Sequence, residues 1–223
     1  MGREIINKKV VSNNTIIDIQ EVVEEDIQQI RRGGKVMIFS APSGAGKTTI
    51  VHHLLDKFDF LEFSVSATSR APRGTEQDGV DYYFIGEEEF RHRIENDEFV
   101  EYQEVYSGSL YGTLKSEVER IWAKGHTILF DVDVKGGINI KRIFGDSALS
   151  VFVMPPSLEV MEQRLRARGT DSEEAIQTRI SKAAIELEDA PLFDVVLVND
   201  KLEDSFAKAD KLVEDFIGIK NDR

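Results

Sequence analysis

One ten-residue run constrains this chain more than any other: Ser40-Ala41-Pro42-Ser43-Gly44-Ala45-Gly46-Lys47-Thr48-Thr49. The apolar run Val36-Met37-Ile38-Phe39 precedes it, and a helix-like run, Ile50 to Phe58, follows. A strand, a glycine-rich loop and a helix opening on Lys-Thr form the layout of a phosphate-binding P-loop. Backbone N–H groups of such a loop point inward and, with the helix N-terminus, make a site for phosphates. Lys47 is expected to reach the outer phosphates, and the Thr48 hydroxyl to ligate Mg2+. The full pattern is G-x-x-x-x-G-K-[ST], and Ala41 stands where its first glycine belongs.

The chain's 223 residues suffice for one well-buried domain, or one core with inserted lobes. Its 28 Lys+Arg against 41 Asp+Glu give a net charge of −13. That balance argues against nucleic acid and anionic membrane as partners, since both attract basic surfaces, but it allows a local basic pocket. The absence of cysteine removes disulfides, thiolate zinc sites and cysteine nucleophiles together, and fits a reducing cytosol. No apolar run approaches the roughly 20 residues that span a bilayer. The N-terminus lacks the apolar stretch of a secretory signal, and Ile6 stands where a myristoylation signal has Ser or Thr. A cytoplasmic protein with no obligate protein partner is expected.

Residues 1–32 differ from the rest. Ile16, Ile19, Val22, Val23, Ile27 and Ile30 fall near helical spacing. The segment reads either as an amphipathic helix or as an acidic extension, with Arg31 to Lys35 as a linker. Downstream, β-like runs are expected at Phe60–Val65, Tyr82–Ile85, Phe99–Tyr111, Thr127–Val132, Leu149–Met154 and Val195–Val198. Helices are expected at Gly86–Asp97, Leu114–Lys124, Ser157–Arg168, Ser172–Leu187 and Glu203–Ile217. Strands alternating with helices predict an α/β fold with a mainly parallel sheet flanked by helices.

Ser66 to Glu76 is the second informative stretch. Arg70 and Arg73 flank Pro72, which stiffens the loop, and arginine's planar fork matches phosphate oxygens. Here the chain resembles the guanylate kinase family. The family's S-x-T-[ST]-R-x-P-R-x-G-E appears as Ser66 to Glu76, with Gly and Thr exchanged at 74 and 75. Its G-x-D-Y-x-F appears as Gly79 to Phe84, its N-x-E-F-[IVL]-E as Asn96 to Glu101, and its Y-G-[ST] as Tyr111 to Thr113. D-[IV]-D-x-x-G appears as Asp131 to Gly136, R-G-T-[DE]-[ST]-E-E as Arg168 to Glu174, and V-N-D as Val198 to Asp200. The likeness spans about residues 33 to 217.

The resemblance implies a P-loop NTPase core with an inserted nucleoside-monophosphate lobe near 65–116 and a helical lid near 159–188, all within a domain at 33–223. It implies the reaction ATP + GMP → ADP + GDP, with Mg2+, in purine nucleotide metabolism and GMP recycling. By motif match, Ala41, Pro42, Ser43, Gly44, Ala45, Gly46, Lys47, Thr48, Thr49 and Asn199 bind ATP. Arg70, Arg73, Tyr82 and Tyr111 hold the GMP phosphate, and Ser66, Glu101, Thr113 and Asp133 read guanine. Lys47, Arg168 and Arg179 carry catalysis. Asp131 either orders waters on Mg2+ or caps its strand, and Asn199 is either near the nucleotide base or a turn residue.

The chemistry agrees with that assignment. Guanine offers N1–H and a 2-amino group as donors, and a carboxylate such as Glu101 can accept from both. Adenine lacks the donor pair and would leave Glu101 unpaired. Arg164 and Arg168 are four apart and share a helix face; Arg166 reads as solvated. His52, His53, His92 and His126 have no partner at metal spacing, and Trp122 reads as core. One departure stands out: between Glu101 and Tyr111 the chain carries one residue more than the family pattern, around Tyr106 to Leu110. The rivals are an interaction module on the same scaffold, which would lack the P-loop lysine, and a kinase of another acceptor, which would not need the guanine-reading set.

Overall fold

Val36–Ser40 is wholly buried, and its side chains split between two apolar layers. Met37 and Phe39 pack on one side, Val36 and Ile38 on the other. Successive residues of a strand point to opposite faces, so a strand covered on both sides reads as an unbroken apolar run. This strand sits at the centre of the molecule. The computed structural model describes residues 10–12, 15–17, 34–106, 108–169 and 172–219.

In chain order, β1 (Val10–Ser12) and β2 (Thr15–Ile17) pair antiparallel. The helical spacing expected from Ile16 therefore begins in a strand, and its remainder lies outside the described residues. There follow β3 (Val36–Ser40), α1 (Lys47–Lys57), β4 (Leu61–Phe63), β5 (Ala67–Thr68), β6 (Tyr83–Phe84), α2 (Gly86–Glu95), β7 (Phe99–Tyr106) and β8 (Ser109–Leu114). Then come α3 (Lys115–Trp122), β9 (Thr127–Val132), α4 (Val134–Phe144), β10 (Ala148–Met154), α5 (Leu158–Arg168), α6 (Glu173–Glu186), β11 (Val195–Val198) and α7 (Leu202–Ile217).

The large sheet has five strands in the order β11-β10-β3-β9-β4, every neighbouring pair parallel. Ile50, Val51 and Leu54 of α1 and Ala209 and Val213 of α7 cover one face; Val118 and Ile121 of α3 and Ile140 and Phe144 of α4 cover the other. This is the α/β architecture expected from the alternation of elements. Because all five strands run one way, their carboxyl ends open on one edge, where ligands of such sheets bind.

A second sheet, β6-β5-β8-β7, is inserted between β4 and β9. It packs Phe90 of α2 against Phe99, with ring centroids 4.4 Å apart. The β7–β8 hairpin takes up the extra residue: its register shifts between Glu104 and Tyr106, while Glu101 stays opposite Thr113 and Gln103 opposite Tyr111. Helices α5 and α6 form a pair of their own around Met161, Leu165, Ile176 and Ala183. Ser157 and Ser172 cap them by accepting Val160 N–H at 3.2 Å and Ala175 N–H at 3.3 Å, satisfying amides that open each helix.

Candidate active site

The loop after β3 turns on Gly44 and Gly46, with φ of 92° and 91°. A Cβ on Gly46 would meet Asn199 Nδ2 at 2.3 Å. Its absence lets Asn199 donate to Ala45 O at 2.8 Å, tying the loop to the end of β11. Asp97 is the one non-glycine with positive φ among the described residues, so Ala41 sits in backbone that a Cβ tolerates. That accounts for alanine in place of the pattern's first glycine.

Lys47 opens α1 and forms an ion pair with Asp131 at the end of β9. It also donates to Val132 O at 2.6 Å, and Thr48 Oγ1 lies 3.5 Å from the second Asp131 oxygen. From the helical pair, Arg179 donates to Ser43 Oγ and Arg164 to Asn199 O at 3.0 Å. A cavity of about 640 Å3 opens here, walled by the loop from Ala41 to Thr49, by Asp131 and Asp133, and by Arg164, Arg179 and Lys182. Arg164 and Arg179 reach the loop, and Lys182, paired with Glu186, completes the wall, a basic lining that suits a polyphosphate.

A second cavity, of about 210 Å3, adjoins it, lined by Ser66, Tyr82, Glu101, Gln103, Tyr111 and Asp133 among others. Glu101 is 8 % exposed, and burial pushes its carboxyl up to about 7, against the Thr113 hydrogen bond that favours the charge. Thr113, fully buried, lies behind Glu101 and donates to it at 2.9 Å. Asp133 caps α4, accepting Gly136 N–H at 2.8 Å.

Arg70 is held on three sides. Glu76 grips its guanidinium bidentately at 2.7 and 2.8 Å, its Nε donates to Tyr111 OH at 2.8 Å, and its charge lies 5.0 Å from the Tyr82 ring. The Arg70 hydrogen bonds pull the Glu76 carboxyl down to about 2. Arg73 is exposed, and its backbone N–H donates to Glu76 at 2.7 Å. Neither arginine lines either cavity; Tyr111 links Arg70 to the smaller one.

The guanylate kinase family model matches residues 33–216. The chain belongs to the guanylate kinase family. It is 54% identical over 185 residues to the guanylate kinase of Bacteroides fragilis, covering 83% of this chain and 91% of that one. Against the guanylate kinase of Porphyromonas gingivalis it is 53% identical over 184 residues, covering 82% and 98%. Among solved structures, the guanylate kinase from Anaplasma phagocytophilum superposes with a TM-score of 0.66 at 30% identity, covering 84% of this chain and 88% of that chain.

For a member of the guanylate kinase family, the cavities also take in residues that no motif marks, Gln103, Lys182 and Glu186 among them. Arg164, whose helix position suggested a shared face with Arg168, reaches back to the phosphate-binding loop. Gln103 belongs to no motif, and its identity alone carries no signal. Arg168 ends α5, and its side chain lies outside the described part. Arg166 is solvated as expected, paired with Glu162 and Glu173. Trp122 is partly buried against the α3–α4 layer. Among the described residues no helix is long and apolar enough to cross a membrane.

Proposed function

We propose that this chain transfers the γ-phosphoryl group of ATP to the phosphate of GMP, giving ADP and GDP. The observation that carries this is a shared wall: Tyr82, Asp131, Val132 and Asp133 line both cavities. A triphosphate in the larger cavity and a monophosphate in the smaller one would then meet end to end. In-line transfer needs that arrangement and needs neutralised charge, with little covalent work from the protein. A phosphate oxygen of GMP bonds to the γ-phosphorus as the bond to the β,γ-bridging oxygen breaks, and ADP leaves with that electron pair.

The loop amides, Lys47 and Arg179 hold the donor; Arg164 and Arg168 add charge from the helical pair. Arg70, Arg73, Tyr82 and Tyr111 hold the acceptor phosphate. Glu101, Asp133 and Ser66 read the base, with Thr113 acting on Glu101. Mg2+ fits the donor side, where the Thr48 hydroxyl and the Asp131 carboxylate face one another beside the loop. When bound, the ion spreads the negative charge of the transferring group. The inserted sheet serves as the acceptor lobe near 65–116, the helical pair as a lid near 159–188, and residues 1–32 as an extension to the domain at 33–223. A net charge of −13 fits a cytoplasmic enzyme of purine nucleotide metabolism and GMP recycling better than a nucleic-acid or membrane binder.

The test is an acceptor panel with ATP and Mg2+. GMP should be used at least about a hundredfold better than AMP, UMP or a sugar phosphate. Comparable kcat/KM values across the panel would sink the assignment. GMP binding without ADP production would favour an interaction module, against which Lys47 already stands.

A further inference from the structure

Gln103 follows Glu101 by two residues on β7, so both side chains leave the same face of the inserted sheet. Gln103 lines the smaller cavity with Glu101, and its Nε2 crosses to the core and donates to Asp133 Oδ1 at 2.9 Å. The same oxygen accepts Gly136 N–H. Asp133 is thus fixed from two elements at once, through one carboxylate oxygen. Among the described residues no hydrogen bond is shown to Oδ2, and Asp133 lines the cavity.

We propose that Gln103 is a positioning residue for base selection: by holding Asp133, it makes the cavity require the 2-amino group that separates guanine from hypoxanthine. The proposal rests on the guanine reading of Glu101 and Asp133. Guanine's edge carries three N–H bonds, one on N1 and two on N2. A carboxylate accepting N1–H and one N2–H leaves the other N2–H to be satisfied. Asp133 Oδ2, on the facing wall, supplies that acceptor. Hypoxanthine keeps N1–H and O6 but has no amino group, so Asp133 would lie unpaired beside a second carboxylate. Such an unmet acceptor discriminates only if it cannot turn away. The Gln103 bond removes that freedom and offsets the repulsion between the two acids. Without it, Asp133 could swing from an IMP-filled cavity, and the selectivity would fall.

The test uses the full chain with Gln103→Met, which keeps the volume and removes the donor, and Gln103→Glu, which keeps the shape and sets a carboxylate against Asp133. Steady-state kinetics are measured with GMP and IMP at saturating ATP and Mg2+, alongside thermal unfolding. Wild type should prefer GMP. Gln103→Met should narrow the GMP/IMP ratio of kcat/KM about tenfold, through KM and with kcat within about twofold, as IMP improves and GMP weakens; this is the scale of one hydrogen bond to a charged group. Gln103→Glu should narrow the GMP/IMP ratio further, and it decides the matter if the methionine variant fails to fold. A merely structural role would depress both substrates alike. An unchanged ratio in a folded variant overturns the proposal. A wild type that uses IMP as well as GMP overturns the base reading itself, and the Gln103 role with it.

Discussion

Thr113 sits directly across the β7–β8 ladder from Glu101 and donates its hydroxyl to Glu101 Oε1 at 2.9 Å, with both residues buried. The bond orients a carboxylate that has left water. It does not supply the full compensation an ionised group needs there, so burial still raises the Glu101 carboxyl to about 7. The shortfall is what a ligand carrying two adjacent N–H donors can make good.

That relationship predicts a pH dependence. On the proposed base reading guanine donates to the ionised form, so kcat/KM for GMP should rise with pH through about 7 and then level off. Glu101→Gln should remove this step and reduce the GMP/AMP ratio. Stability moves the other way. The carboxyl titrates higher folded than unfolded, where glutamate has a pKa of about 4.3, so the folded state holds more protons between those values. Its contribution therefore weakens as pH rises from about 4.3 to 7, by at most on the order of 4 kcal/mol. Urea unfolding should find Glu101→Gln more favourable, relative to wild type, at pH 8 than at pH 5. A GMP profile flat in pH would count against the ionised role.

The phosphate-binding loop was legible because it is local in sequence: Gly44, Gly46, Lys47 and Thr48 fall within five positions. The buried strands were legible from their unbroken apolar runs. Helix α4 was not. Gly136-Gly137 reads as a break, yet a Cβ on Gly137 would meet Ser40 Oγ at 2.2 Å, so glycine there lets the helix lie close on β3. Strand β5 is two residues long and carries no period. Gln103 escaped, and Arg164 was placed only on a helix face, because their partners, Asp133 and Ala45, lie 30 and 119 residues away.

Lys47 pairs with Asp131 and donates to Val132 O. In the proposed transfer its ammonium would meet the donor's phosphate oxygens and stabilise the transferring group. Lys47→Ala should lower kcat by about a hundredfold or more, a loss of charge stabilisation made in the transition state. KM for GMP should change little, because Lys47 is absent from the smaller cavity's wall. Steady-state kinetics with both substrates varied separate the two parameters, and near-normal turnover would refute the role.

Arg70 depends on Glu76 as much as on its own chemistry. The bidentate grip keeps the guanidinium beside Tyr82 and Tyr111. Glu76→Ala leaves the charge intact but releases its geometry, so KM for GMP should rise by roughly tenfold with a smaller effect on kcat. Arg70→Lys should be worse, since an ammonium cannot reproduce the fork. GMP titration by calorimetry measures both, and equal affinity in Glu76→Ala and wild type would show that the grip is incidental.

Glu117 of α3, 2 % exposed, holds the β4–β5 connection and β6 together. It accepts Val65 N–H at 3.0 Å, Tyr83 OH at 3.0 Å and two Arg120 N–H bonds at 2.9 Å. Val65 precedes Ser66 and Tyr83 follows Tyr82, so this carboxylate sets the approach of two cavity residues. Burial alone would raise its pKa, but the Arg120 and Val65 hydrogen bonds outweigh that and hold it below the usual carboxylate range. A group depressed on folding stabilises above its unfolded pKa of about 4.3, and that contribution is lost as pH falls toward the folded value. Glu117→Gln keeps the shape and removes the charge. It should cost about 2 kcal/mol at pH 7, the scale of hydrogen bonds to a charged group, and less near pH 3. KM for GMP should rise as well, because the Val65 and Tyr83 bonds weaken together. Urea unfolding at the two pH values checks the first claim; an equal deficit at both would mean that packing, and not the carboxylate charge, ties the inserted sheet to the core.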